Sequence, residues 1–271
     1  MPSTSWRRPR TGCDGTEGSP SERKEDGWLE GPTKAGAEGT GRTHEAVLFD
    51  LFGTLVDFHS VFINTLHRVL RENELLDQAE EFRNRWQRFV FQGQAAGTFM
   101  TVREDFTTSL VTVLVDLGRD GDMTVYADQV IDEMFEQLHE AKLYPEVPTV
   151  IGALEGEGIP WAIVSNVDEE DLRAIISNHG LRPLAAVSSE RVRSYKPDPA
   201  IFIAALEELD LPASSVVHVG DSPLADVAGA TGVGIDTLWV NRHGEVYPDD
   251  LPQPGWNMPD LSGLTGLLLK G

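Results

Sequence analysis

Apolar residues follow two different patterns along this chain. After residue 44 there are five short, continuous apolar runs rich in β-branched residues, as is typical of strands buried on both faces of a parallel sheet. Helical patterns separate the later runs; Asp198-Pro199, for example, supplies an N-cap and an N1 proline before an apolar segment. Strand alternating with helix predicts an α/β fold with a doubly wound parallel sheet. The five runs are 45–50, 161–165, 185–189, 216–220 and 235–240.

The first connection is far longer than the others, because about 110 residues separate the first strand from the second. Within it, apolar residues repeat four times at helical spacing, which predicts four amphipathic helices packed on one another. We therefore expect an all-helical cap domain at 60–143, inserted into an α/β core made of 45–59 and 144–271. The four sets are Phe62/Leu66/Val69, Phe82/Trp86/Phe89, Phe106/Leu110/Val113 and Val130/Met134/Leu138.

Charge separates the first 44 residues from the rest. The chain has 44 Asp and Glu against 22 Lys and Arg, a net charge of −22. Residues 1–44 contain seven of each sign, so residues 45–271 carry the whole excess. The N-terminal segment also offers few apolar anchors, which predicts a disordered tail. A folded part this acidic repels polyanions, so nucleic acid is not expected as a partner.

Other features of the composition bound the class of protein. Cys13 is the single cysteine, which excludes an intrachain disulfide, and no apolar run approaches the length that spans a bilayer. We expect a cytoplasmic protein with no membrane partner. The residues do not decide between a monomer and a homodimer.

Polar residues stand where the apolar runs end. Parallel α/β sheets bind ligands at the carboxyl ends of their strands, so these residues are expected to meet in one crevice. They are Asp50 after the first run, Ser165-Asn166 after the second, Lys196 after the third, and Asp221 with Asp226 after the fourth.

Three carboxylates in one cleft need a cation. Asp50, Asp221 and Asp226 would repel one another by several kcal/mol at short range in a partly buried site. Oxygen ligands alone favour Mg²⁺, which in turn attracts a phosphate. One carboxylate could attack phosphorus while Lys196 and the Ser165 hydroxyl neutralise the equatorial oxygens. The pattern therefore predicts phosphoryl transfer through an aspartyl-phosphate intermediate.

These residues resemble the four ordered motifs of the haloacid dehalogenase-like (HAD) hydrolase superfamily. The resemblance spans residues 45–241 and implies a Rossmann-like core with sheet order 5-4-1-2-3 and a helical cap after the first motif. The matching segments are Asp50-Leu51-Phe52-Gly53-Thr54-Leu55, Ser165-Asn166, Lys196-Pro197-Asp198, and Gly220-Asp221-Ser222 with Asp226.

The resemblance also implies roles for individual residues. Asp50 would be the nucleophile, and Mg²⁺ would be bound by Asp50, the Phe52 carbonyl oxygen and Asp221, with support from Asp226. The residues implied to hold the transferred group or substrate are Gly53, Thr54, Ser165, Asn166 and Lys196.

Phe52 departs from the phosphatase pattern. In HAD phosphatases the residue two after the nucleophile is usually a second Asp that protonates the leaving alkoxide, and phenylalanine has no proton to give. The absence of this acid should slow expulsion of an alcohol by roughly 10²–10⁴-fold. Substrates whose leaving group needs no proton, such as acyl phosphates, pyrophosphates and organic halides, should be affected least.

The 2-haloacid dehalogenases of the same superfamily place an aromatic residue at this position, and a cap arginine receives their halide. Arg83 falls where that arginine is expected by similarity, although a solvated helix face is the alternative interpretation. Those enzymes replace the fourth motif with a metal-free serine/asparagine version, whereas this chain keeps Asp221 and Asp226. They also carry a tyrosine six residues after the motif-three lysine, where this chain has Phe202.

The retained acidic pair predicts a Mg²⁺-dependent phosphatase acting on a small anionic, phosphorylated metabolite. The alternative is a 2-haloacid dehalogenase. A second alternative, prompted by Phe52, is a non-catalytic protein of HAD fold that binds phosphorylated ligands.

Overall fold

A computed structural model of the chain describes residues 44–93 and 99–269, with residues 88–93 described by their backbone alone. The predicted disordered tail, up to residue 43, and the Phe89 side chain lie outside this range.

The described residues alternate between strands and helices as the sequence predicts. The strands are β1 (Ala46–Phe49), β2 (Trp161–Ser165), β3 (Ala185–Ser188), β4 (Val216–Gly220), β5 (Asp236–Val240) and β6 (Trp256–Met258). The helices are α1 (Phe58–Glu72), α2 (Ala79–Gly93), α3 (Val102–Asp116), α4 (Thr124–His139), α5 (Val147–Gly156), α6 (Glu169–Asn178), α7 (Ser189–Val192), α8 (Pro199–Leu209), α9 (Gly229–Gly232) and α10 (Leu264–Leu268).

All six strands form one parallel sheet with the order β3-β2-β1-β4-β5-β6. The order of the first five strands agrees with the order implied by the resemblance, and β6 extends the sheet beyond β5. Because β1 lies between β2 and β4, the residues that follow these three strands share one edge of the sheet. The strand order therefore brings the first, second and fourth motifs together.

The described residues between β1 and α5 contain four α-helices, as the helical spacing predicts. Local signals fix where they begin: Asp57 caps α1, and a capping box of Thr101 and Glu104 opens α3. Because α1 begins at Phe58, it starts two residues before the predicted cap boundary at 60. The exact division between cap and core stays a prediction.

The apolar residues of β1 alternate between two clusters, one on each face of the sheet. Val47 and Phe49 belong to the larger cluster, and Ala46 and Leu48 to the smaller one. The larger cluster continues without a break into the buried faces of α1, α2, α3 and α4. The helical insertion is thus packed on the sheet through a shared hydrophobic core. Within the described ranges no helix is both long and apolar enough to cross a bilayer.

Candidate active site

The loop after β1 carries the candidate nucleophile. Asp50 follows the last residue of β1, and its amide N–H donates to the Val219 carbonyl of β4 at 2.9 Å, so the strand pairing continues to the site. Gly53 adopts a φ of +80°, and a Cβ atom at this position would lie 2.0 Å from Oδ2 of Asp221. Glycine is required here both by the backbone conformation and by the close approach of a carboxylate from the fourth motif.

Three carboxylates converge at the sheet edge. One oxygen from each of Asp50, Asp221 and Asp226 lies within 4.8 Å of the others. Between two of them lies Lys196, whose Nζ donates to Oδ1 of Asp50 and to Oδ1 of Asp226, both at 2.6 Å. Lys196, Asp50 and Asp226 are almost completely buried, whereas Asp221 faces solvent. The sequence-based expectation that these residues share one crevice agrees with this geometry.

Asp226 is held from several directions. In addition to Lys196, the fully buried ring of His218 lies with Nε2 at 2.9 Å from Oδ1, and the Ser222 amide donates to Oδ2 at 2.9 Å. The His218 ring also packs edge-on against Phe202, with centroids 5.2 Å apart. The histidine therefore supports the site through Asp226.

Burial and neighbouring charges change the protonation behaviour of these groups. Burial raises the pKa of Asp50, although the nearby Lys196 ammonium acts in the opposite direction. Burial opposes ionisation of Asp226, but the charges of Lys196 and His218 outweigh it and hold the pKa low. For Lys196, burial alone would lower the pKa, and the charges of Asp226 and Asp50 raise it instead. The ammonium stays charged and balances one of its two carboxylate partners.

The oxygen donors fit a divalent cation. Asp221 is exposed as a residue, but the surrounding protein removes hydration from its carboxyl group. This desolvation and the charges of Asp50 and Asp226 raise the pKa of Asp221 well above the ordinary value. Lys196 offsets only part of the negative charge of the cluster, and a hard divalent ion binds best to carboxylate oxygens at this spacing. The predicted contact from the Phe52 carbonyl oxygen stays a prediction.

The second motif contacts the candidate nucleophile, Asp50, and Lys196. The Ser165 hydroxyl, at the end of β2, donates to Oδ1 of Asp50 at 3.1 Å. Asn166 pairs with the backbone of Lys196: its Oδ1 accepts from the Lys196 N–H at 2.8 Å, and its Nδ2 donates to the carbonyl at 3.2 Å. Among the described residues, the buried Thr54 hydroxyl has no hydrogen-bond partner, so it is free for a ligand. Asn166 thus positions Lys196, while Ser165 contacts the carboxylate of Asp50.

Phe52 joins the loop to the aromatic interior of the cap. Its ring lies 5.5 Å from that of Phe58, which stacks on Phe62 with centroids 5.6 Å apart. The ring of Phe62 in turn lies 5.0 Å from the fully buried Trp86. Phe52, two residues after Asp50, is therefore one end of an aromatic cluster that continues into the cap.

Arg83 is exposed on α2 and makes no hydrogen bond or ion pair within the described part of the chain. Its neighbour Arg85 pairs with Glu81 at 2.6 Å and with Asp116 at 3.5 Å, on the surface of the cap. The role of Arg83 as a halide or substrate ligand stays a prediction.

Sequence reasoning missed Arg242, which follows β5. Its Nε donates to the Gly53 carbonyl at 3.0 Å and its Nη2 to the Thr54 carbonyl at 2.7 Å. The guanidinium also pairs with Glu146 at 2.7 Å and lies 3.6 Å from the ring centroid of Tyr144. Arg242 therefore fixes the loop that carries Asp50, and the rule that polar residues at strand ends matter, applied to the fifth strand, would have found it.

Asp168 links the second motif to the cap. Its carboxylate accepts the N–H groups of Val102 at 2.7 Å and Arg103 at 3.0 Å, the first two residues of α3. Three residues further on, the buried Asp171 accepts from Nε and Nη2 of Arg103 and lies 2.6 Å from Nε2 of His139. Two core carboxylates thus hold the cap beside the active-site crevice.

The arrangement agrees with what comparison with known proteins finds. A family model described as haloacid dehalogenase-like hydrolase matches residues 44–234, which includes the four motifs and the helical insertion. The chain belongs to the haloacid dehalogenase-like hydrolases. This assignment makes it a hydrolase with the α/β fold and helical cap described above.

Individual relatives of this HAD-like hydrolase include both dehalogenases and a phosphatase. The (S)-2-haloacid dehalogenase 1 of Pseudomonas sp. (strain CBS-3) is 26% identical, over 83% of this chain and 96% of its own. A phosphoglycolate phosphatase of Rhodospirillum rubrum is 32% identical, over 72% of this chain and 78% of its own. The L-2-haloacid dehalogenase of Xanthobacter autotrophicus superposes with a TM-score of 0.69, 21% identity and coverage of 83% and 98% of the two chains.

The relatives favour the dehalogenase alternative over the phosphatase that the acidic pair predicts. Haloacid dehalogenases match more than four fifths of this chain, cap included, whereas the phosphatase match is shorter. The comparisons thus favour the interpretation based on Phe52 over the one based on Asp221.

Proposed function

We propose that this HAD-like hydrolase displaces halide from small 2-haloacids by attack of Asp50. The observation that carries the proposal is Phe52: the residue two positions after the nucleophile is part of an aromatic cluster, so the site suits a leaving group that departs without a proton. The similarity to haloacid dehalogenases along core and cap supports it.

The reaction proceeds in two steps. An oxygen of Asp50 bonds to the halogen-bearing carbon while the carbon–halogen bond breaks and its electron pair leaves with the halide. Water then hydrolyses the resulting ester, which gives the 2-hydroxy acid and restores the carboxylate. Lys196 and the Ser165 hydroxyl, both hydrogen-bonded to Oδ1 of Asp50, fix the carboxylate so that Oδ2 is available for attack.

The aromatic cluster favours this chemistry in a second way. A carboxylate is a better nucleophile when water is excluded, and the paired rings of Phe52 and Phe58 supply apolar surface at the loop that carries Asp50. The same surface accommodates the carbon skeleton of a short haloacid. The buried Thr54 hydroxyl is a free donor for the substrate carboxylate.

Asp221 favours a second candidate, a Mg²⁺-dependent phosphatase for acyl phosphates or related anhydrides. These substrates also lose a group that needs no proton, and a third carboxylate is useful where a cation must be held. Asp50 and Asp221 would hold the ion, with Asp226 behind them. When bound, Mg²⁺ would neutralise the carboxylates so that an anionic substrate can approach.

A substrate panel tests both candidates by their products. Purified protein is incubated with 2-chloropropionate, acetyl phosphate, p-nitrophenyl phosphate and a sugar phosphate, each with Mg²⁺ and with EDTA, and halide and phosphate are measured. We expect halide from 2-chloropropionate and none with Asp50→Asn. Phosphate release without halide release would select the second candidate. Stoichiometric binding without either product would point to the non-catalytic alternative.

The variant Phe52→Asp tests the reasoning about the leaving group. It restores an acid two residues after the nucleophile, so turnover of alkyl phosphates should rise relative to acetyl phosphate, by about 10-fold or more. Phe52→Leu is the control, since it changes the ring but adds no proton donor. An unchanged ratio in Phe52→Asp would contradict the missing-acid explanation.

The remaining expectations are part of the same proposal. We infer a cytoplasmic enzyme whose substrate is a small anionic metabolite, held between the sheet edge and the cap.

A further inference from the structure

Two histidines from different parts of the fold meet near the entrance of the active site. His59 lies in the first turn of α1, and His243 lies in the turn after β5. Their ring centroids are 5.0 Å apart and both side chains are exposed. His243 also lines a small cavity of about 60 Å³ together with Gly53 and Asp221.

Both backbones are fixed independently of the rings. The carboxylate of Asp57 accepts the N–H of Ser60 at 3.0 Å and its hydroxyl at 2.6 Å, which holds the first turn of α1. The turn after β5 is closed by Asn241, which donates to the Glu245 carbonyl at 2.9 Å and accepts the Glu245 N–H at 2.8 Å. The two turns therefore hold the backbones of His59 and His243 in place, with the rings tilted by 42° to each other, which lowers the entropic cost of binding a ligand between them.

The ring nitrogens are free for such a ligand. Neither His59 nor His243 forms a hydrogen bond or ion pair with any residue in the described ranges. The net charge of −22 attracts cations to the surface, and Glu245 borders the same cavity.

We propose that His59 and His243 together bind a divalent transition-metal ion of the zinc and nickel class, at a site separate from the three carboxylates. Two imidazoles that bind one tetrahedral ion through nitrogens at about 2 Å have ring centroids about 5 Å apart. The ring centroids of His59 and His243 are 5.0 Å apart. Imidazole nitrogen favours zinc, nickel and copper, whereas Mg²⁺ prefers the oxygen ligands of the carboxylate cluster. The two sites therefore select different ions.

An ion bound at this location would connect two parts of the fold. It would tie the first helix of the cap to the turn that begins with the Arg242 clamp on the Asp50 loop. Binding should raise thermal stability, because an ion that binds only the folded chain shifts the unfolding equilibrium. It should also restrict access beside Asp221.

The test is titration of the untagged chain with Ni²⁺ in excess Mg²⁺, followed by calorimetry, in a Cys13→Ser background that removes the only thiol. We expect one Ni²⁺ per chain, with affinity reduced about tenfold or more in His59→Asn and in His243→Asn. His67→Asn is the matched control, since His67 is exposed on the same helix, and it should bind as the parent does.

Two further results decide the assignment. With Cu²⁺ as the probe, electron paramagnetic resonance should show two coupled imidazole nitrogens in the parent and one in each single variant. Unchanged Ni²⁺ affinity in both variants would overturn the proposal and leave the pair as a ring-stacking contact. An affinity that falls only in Asp221→Asn would overturn it as well, because the ion would then occupy the carboxylates.

Discussion

Gly53 and Asp221 approach so closely that a side chain at position 53 has no room. We expect Gly53→Ala to displace the Asp221 carboxylate, because the new Cβ would lie 2.0 Å from Oδ2. The variant should also lose about 1–2 kcal/mol of stability, since its φ is +80°. Turnover and urea unfolding measure the two effects.

Gly234→Ala separates strain from displacement. Its φ is +82°, yet nothing lies within 4 Å of the Cβ position. It should lose similar stability and keep activity. Equal activity in the two variants would show that the contact between Gly53 and Asp221 has no part in the reaction.

Asp105 is a buried carboxyl on α3 whose Oδ2 has no hydrogen-bond partner among the described residues. Burial raises the pKa of Asp105 to about 6 from the ordinary 3.8. The folded state therefore holds this proton more tightly than the unfolded state, so the contribution of Asp105 to stability falls as pH rises from about 4 through about 6.

Asp105→Asn removes that dependence. Its free energy of unfolding relative to wild type should increase between pH 4 and pH 7.5, by up to about 3 kcal/mol, as measured by urea unfolding at each pH. The exposed Asp128→Asn on α4 is the control. A constant difference between Asp105→Asn and wild type across this range would contradict the assignment.

The residues that the sequence located best are those whose position follows from the sheet alone. Asp50, Lys196 and Asp226 were expected to meet because they follow strands of one parallel sheet, and Lys196 contacts both carboxylates. Arg242 also follows a strand of this sheet, so the same rule locates it, but its contacts with the carbonyls of Gly53 and Thr54 leave no periodic signal in the sequence.

At the scale of elements, α3 depends on the core for its N-terminal hydrogen bonds. Asp168 accepts the N–H groups of Val102 and Arg103, which have no partner inside the helix. Asp168→Ala should cost about 0.5–2 kcal/mol and speed hydrogen exchange at those two amides.

Thr101→Ala is the matched control, because the Thr101 hydroxyl caps the same helix by accepting the Glu104 N–H and not those of Val102 and Arg103. It should speed exchange at Glu104 and leave Val102 and Arg103 protected. Unchanged exchange at Val102 and Arg103 in Asp168→Ala would mean that the cap is held mainly by its apolar packing.

The five longer strands and the four helices of the insertion followed from hydrophobic periodicity. β6 did not, because it has only three residues, Trp256–Met258, with a glycine immediately before it. Such a short edge strand is defined by its pairing with β5, which no local pattern reports. The attachment of cap to core through Asp168 and Asp171 is likewise a tertiary contact.

At the scale of the whole molecule, a net charge of −22 means that cations can stabilise the fold in two ways, by screening the acidic residues and by binding at a specific site. Any salt should raise the melting temperature modestly by screening repulsion between acidic residues. Mg²⁺ should add a second effect if it binds the carboxylate cluster, because a ligand at a hundred times its dissociation constant adds about 2.7 kcal/mol. For a chain of this size that corresponds to several degrees.

The experiment compares MgCl₂ with NaCl at matched ionic strength in thermal unfolding. We expect MgCl₂ to give the higher melting temperature in wild type and the two salts to agree in Asp221→Asn. Asp249→Asn removes one exposed charge elsewhere and should retain the magnesium increment. Equal melting temperatures in both salts for wild type would mean that Lys196 is the only cation the cluster requires. Asp221 would then act without a metal, as the dehalogenase proposal allows.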